Sequence, residues 1–211
     1  MNQNQKPKPG SEDLPSADAN ASSLNGPTDL GGLSASVSQG LVFRPERFEA
    51  ALPAVLQWVE ELVAENLPKS RSVESFKFPL LPHYYSDSLL RTARVCVVDQ
   101  TPTVPLGTLG LPEIQRLFPT AAAGITFKNL YFVQRSFERD ESLHAHELVH
   151  VVQWDFLGPQ QFLLQYGRGL LEHGYRNSPL ERMAYSLQDH FNARGGRIDF
   201  ASQIRGQLQR L

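Results

Sequence analysis

Between Ser142 and Leu157 the chain carries a pattern that only an α-helix can use. Ala145, Leu148, Val149, Val152 and Phe156 recur at i, i+3, i+4, i+7 and i+11, while His146 and His150 fall on the opposite side. The periodicity predicts a helix that buries its apolar stripe and turns the two histidines toward a cleft. Gly158-Pro159 predicts its end.

The surrounding sequence predicts the rest of an α+β domain. From Phe43 the composition becomes globular, and Phe48, Leu52, Val55, Leu56, Val59, Leu62 and Val63 form a helical stripe that starts near Pro53 or kinks there. Residues 67–92 read as loop with a short helix near Ser86–Thr92. Arg94–Val98 reads as a strand followed by a Pro/Gly-rich loop over Thr101–Pro112. Ile125–Phe127 and Leu130–Val133, separated by Lys128-Asn129, read as a hairpin or bulged strand pair just ahead of the histidine helix. Further helices are predicted over Gln160–His173, Ser178–Ala193 and Ala201–Leu211. The fold class expected is α+β, mostly helical, with a small sheet preceding the histidine helix.

Residues 1–39 are rich in Ser, Asn, Asp, Gly and Pro, lack aromatics, and read as a disordered tail ahead of a single domain over 40–211. No apolar stretch before residue 40 could serve as a signal-peptide core, and no later run reaches the ~20 apolar residues of a membrane span. The expectation is a protein without a membrane span, cytoplasmic or exported without an N-terminal signal peptide. Twenty Lys+Arg against twenty-two Asp+Glu give a formal charge of -2, which argues against a nucleic-acid partner. The single cysteine, Cys96, excludes an intrachain disulfide and a four-cysteine zinc site, and reads as a small buried hydrophobe.

The chemistry lies in His146-Glu147-Leu148-Val149-His150. Histidines at i and i+4 project from one helix face a turn apart, so their ring nitrogens can take two corners of a zinc tetrahedron. Glu147, turned about 100° around the helix, is placed to take the proton of a metal-bound water rather than to be a third equivalent ligand. By composition this five-residue pattern would arise by accident in roughly one chain in a hundred. His144 points some 160° away from His146 and reads as a surface or packing residue.

A third ligand is needed, and Glu181, Glu172, His173, Asp155 and His190 are available. Asp155 and His190 are turned about 180° from His146 and Glu181 on their respective helices. Glu172 and His173 end a helix, where His173 could instead complement the helix dipole. Glu181 opens the third predicted helix, with Ala184 permitting close approach. Tyr185 and Asp189 share its face and could donate to a substrate oxyanion or brace a ligand. Ser178-Pro179-Leu180-Glu181 is equally a capping box, with Ser178 at N-cap and Glu181 reaching back to the backbone. Glu181 as ligand and Glu181 as cap both stand at this level, with His173 the next ligand candidate.

His146-Glu147-Leu148-Val149-His150-Val151-Val152-Gln153, with the later Pro179-Leu180-Glu181-Arg182-Met183-Ala184-Tyr185, resembles the gluzincin zinc metallopeptidases. Within them it is most similar to the bacterial peptidase-like domains associated with extracellular contractile injection systems. The preceding Ala122–Phe132 resembles the strand pair of those domains, and the likeness spans about Ala121–His190. It implies a zincin-like fold and one Zn2+ held by His146, His150 and Glu181. It further implies a peptide or protein substrate, hydrolysed endoproteolytically with Glu147 as base and Tyr185 as oxyanion donor, and paired along Thr126–Asn129. Trp154 stands where those domains commonly carry a second glutamine, and no His-x-x-Gly-x-x-His extension of the metzincin kind follows. The alternatives are a non-catalytic zincin-like module serving as a scaffold or secreted effector component, and a latent enzyme blocked by its own tail.

Overall fold

The computed structural model describes residues 45–117 and 122–210. The tail expected over residues 1–39 lies outside them. The architecture is α+β: six helices and several 3-10 turns around a four-stranded mixed sheet, among the described residues.

Helix α1 (Pro45–Asn66) buries Phe48, Ala51, Leu52, Val55, Val59 and Val63 on one face. It runs through Pro53 rather than starting there, so one backbone hydrogen bond, to the carbonyl of Glu49, is forgone. Short 3-10 turns at Leu67–Lys69, Val73–Phe76 and Leu81–His83 then flank a two-residue strand β1 (Arg71–Ser72) that no periodicity announces. Helix α2 (Asp87–Thr92) follows, its N-cap Ser86 accepting from the Leu89 amide. Strand β2 (Arg94–Val98) comes next, and one helical turn, α3 (Pro112–Gln115), closes the Pro/Gly-rich stretch. Strands β3 (Gly124–Phe127) and β4 (Leu130–Gln134) form an antiparallel hairpin, with Lys128 at φ 59° in the turn.

The sheet order is β1-β2-β4-β3, with β2 and β4 parallel and β3 at an edge. Because strand side chains alternate, the sheet presents two distinct faces. Phe127 meets Trp58 of α1 at 5.5 Å, and the Cys96 thiol donates to the carbonyl of Asn66 at that helix's end. Thr126 and Tyr131 point the other way, to the histidine helix.

That helix, α4 (Glu141–His173), is capped by Asp140, whose carboxylate accepts from the Ser142 and Leu143 amides. At Gly158 (φ 73°, ψ 161°) it breaks into two arms, as Gly158-Pro159 predicts. Every residue from His144 to Trp154 is buried, so the first arm is not the one-sided helix its stripe suggests. The sheet covers one side, and α5 (Pro179–Asn192) and α6 (Phe200–Leu208) cover the other. Phe156, counted in the apolar stripe, is the exception at 37% exposed. A helix buried all round must partner its polar side chains, and this one does so: His144 accepts from Tyr131 OH at 2.7 Å and donates to the Glu138 carbonyl at 3.0 Å. It is a packing residue, with burial lowering its pKa to about 4.

No helix among the described residues is long and apolar enough to cross a membrane.

Candidate metal centre

Helix α5 packs against α4, with the small Ala184 fully buried, and brings Glu181 against the two histidines. Among the described residues these three form the one group that could hold a metal ion. The His146 and His150 Nε2 atoms are 3.2 Å apart, and the Glu181 oxygens lie 3.5 Å from the first and 3.6 Å from the second. Bonds of about 2.0–2.1 Å in a tetrahedron set neighbouring donors about 3.3 Å apart. The two nitrogens are close to that spacing, and Glu181 reaches each of them at a similar distance with a different oxygen, Oε2 to His146 and Oε1 to His150.

The donor chemistry fits as well. His150 Nδ1 faces Gln153 Oε1 at 2.8 Å, while Gln153 Nε2 donates to the Leu180 carbonyl, which fixes which end of the amide meets the ring. His146 Nδ1 faces Gln188 Oε1 at 3.1 Å, with Gln188 Nε2 turned to Ser142. An amide oxygen only accepts, so both imidazoles donate through Nδ1 and aim their Nε2 lone pairs at one point. Glu181 Oε1 accepts from Tyr166 OH at 2.6 Å, whereas Oε2, buried, has no hydrogen-bond partner. Two ring nitrogens and a carboxylate oxygen without a hydrogen-bond partner thus face one another in a buried group that could hold a metal ion.

Charge balance agrees. Burial alone would raise the pKa of Glu181 and lower that of His150, but their mutual attraction prevails. Glu181 is held well below the usual carboxylate range, and His150 is raised to about 9. A proton on His150 therefore competes with any metal for the cluster.

Glu147 stands beside the triad rather than in it. Thr126 OH donates to its Oε2 at 2.6 Å, and burial raises its pKa. A Cβ built on Gly124 would lie 2.4 Å from Glu147 Oε1, so only glycine at 124 leaves room for this carboxylate.

Beside Glu147, His150 and Glu181 lies a cavity of about 80 Å³, lined also by Thr101–Val104, β3, Trp154, Phe162, Tyr166 and Tyr175. The break at Gly158 builds this wall, folding the second arm back so that Phe162 stacks on Trp154 at 4.1 Å and Tyr166 on Phe162 at 5.6 Å.

The structure sorts the remaining candidates. The capping box is not formed: Ser178 holds the N-cap position, but its hydroxyl has no partner and Glu181 turns to the histidines. His173 and Glu172 are exposed and face each other at 3.7 Å. Asp155 is exposed and pairs with Arg205, Asp189 is exposed, and His190 donates to the Gly196 carbonyl. Tyr185 packs its ring on His146 at 4.8 Å, under the Arg176 guanidinium, and is not among the cavity-lining residues. Tyr166 and Tyr175 are the tyrosines that face the cavity. The edge assigned to Thr126–Asn129 also shifts, because β3 ends at Phe127 and residues 128–129 form the turn. Gln153 and Gln188, at i+3 from His150 and i+7 from Glu181, could have been flagged by helical spacing. Tyr166 and Tyr175 could not, because their place depends on the fold-back.

Comparisons with protein-family models, with curated proteins and with solved structures return no match to this chain.

Proposed function

We propose that the chain is a zinc-dependent peptidase of the zincin-like, gluzincin type, with His146, His150 and Glu181 as ligands and Glu147 as general base. The observation that carries the reading is the gathering of two Nε2 atoms 3.2 Å apart and the Glu181 carboxylate, whose two oxygens lie 3.5 and 3.6 Å from them, next to a second, non-ligating carboxylate. Nitrogen and oxygen donors in a three-residue set favour zinc and leave a coordination position open. Bound there, the ion would supply a Lewis acid that acidifies water and polarises a peptide carbonyl.

The chain's own residues do the rest. Glu147 takes a proton from water as its oxygen adds to the peptide carbonyl carbon, and returns it to the departing amine. A pKa raised by burial suits a group that must both accept and release a proton near neutrality. Thr126 and Gly124 fix the position of the carboxylate. Tyr175, on the cavity wall, is better placed than Tyr185 to donate to an oxyanion, while Tyr185 steadies the His146 ring.

A non-catalytic zinc module has one observation in its favour: His146 and His150 are only 5% and 6% exposed. The cavity reaching Glu147 and His150 weighs against it, since a structural site needs neither a base nor an opening. Glu147→Gln separates the two. The proposal predicts loss of peptide cleavage on the order of a thousandfold or more with zinc still bound. Undiminished cleavage in that variant would sink the mechanism.

A further inference from the structure

The free edge of β3 is closed at one end, and this limits what the cleft can accept. Gln134 N donates to the Ala123 carbonyl, so by antiparallel alternation Ile125 and Phe127 also face β4. Ala122, Gly124 and Thr126 then turn their backbone groups outward, to the lane where an added strand would lie. Two of these positions are taken. The Trp154 indole donates to the Thr126 carbonyl at 3.2 Å, where the backbone nitrogen of a pairing strand would sit. The Thr101 hydroxyl donates to the Ala122 carbonyl at 2.8 Å.

The lane between the two spans four residues, about 13 Å, with Gly124 at its centre directly over Glu147. The two ends differ. Thr101 contributes a small, partly exposed hydroxyl, whereas Trp154 is 3% exposed and stacked on Phe162. Of the two, Trp154 is the bulkier and more firmly held stop.

We infer that the site takes peptides with their free amino terminus against Trp154 and removes one or two residues from that end. This rests on the peptidase reading above and replaces the endopeptidase expected from the resemblance. The direction of pairing selects the amino terminus. A strand added antiparallel to β3, the more common pairing, has its N-terminal end at Thr126. From Gly124 to Thr126 the lane holds two residues, about 7 Å. Hydrolysis across that bond places the water's hydroxyl on the acyl carbon and its proton on the leaving amine.

The test uses the zinc-loaded full chain and a peptide series sharing one cleavable bond, preceded by one, two, three or five residues, with products read by mass spectrometry. Cleavage after one or two residues is expected, with kcat/KM at the shared bond falling at least about tenfold once three residues precede it. Trp154→Phe, which keeps the stacked ring but frees the Thr126 carbonyl, and Trp154→Leu, which shortens the barrier, should narrow that difference. If both variants fail to fold, the wild-type series still decides. Equal rates across the series, or cutting inside a long N-acetylated peptide, would overturn this inference and leave the peptidase reading intact. No cleavage of any peptide would overturn both.

Discussion

Gly124 is the residue where backbone and chemistry meet most closely. Gly124→Ala would drive a methyl group into Glu147 Oε1, and since Thr126 already holds the other oxygen, the carboxylate must swing away. The expected result is loss of most peptide cleavage, zinc content unchanged, and destabilisation of about 1–3 kcal/mol from overpacking. Steady-state kinetics beside metal analysis and denaturant unfolding checks all three. His146, Glu147 and His150 were legible because their relation is local, fixed by the helical repeat. Glu181 was named as the third ligand, but helical spacing alone could not separate it from a cap, because Ser178-Pro179-Leu180-Glu181 satisfies the cap rule as well as the ligand rule. The decision came from the packing of α5 against α4, which offered the carboxylate two imidazoles in place of a backbone amide.

Among the elements, the break in α4 matters most to the site. Gly158 sits at φ 73°, a conformation that only glycine adopts readily, and a Cβ there would meet nothing within 4 Å. Gly158→Ala therefore isolates backbone strain from packing. It should cost about 1–2 kcal/mol and weaken zinc binding through displacement of Tyr166, which supports Glu181. Thermal unfolding and a zinc titration measure the two effects, and unaltered affinity would show that the second arm does not brace the ligand. Helix and strand positions in α2, β2, the β3–β4 hairpin and the last three helical segments were readable from apolar periodicity and Gly/Pro punctuation. Strand β1, with two residues, and α3, with one turn, are too short to carry a period and owe their form to neighbours. The all-round burial of His144–Trp154 was unreadable for another reason. Its polar side chains look solvent-seeking until their partners, Tyr131, Thr126, Gln188 and Leu180, are brought in from distant segments.

For the whole molecule, the triad joins two helices that otherwise meet through apolar packing and glutamine bridges, so ligand binding and stability are coupled. At free zinc of about a hundred times Kd, binding adds about 2.7 kcal/mol, a Tm rise of roughly 5–10 °C for a domain of this size. Glu181→Ala should lose that rise, and a thermal scan with and without zinc reads it directly. The central claim, that His146, His150 and Glu181 are a zinc site, is tested most directly by the metal content of the zinc-reconstituted, dialysed protein. About one zinc per chain is expected in the wild type and in Glu147→Gln, and far less than one in His150→Ala and Glu181→Ala. A wild-type chain that retains no zinc, or variants that retain as much as the wild type, would contradict it.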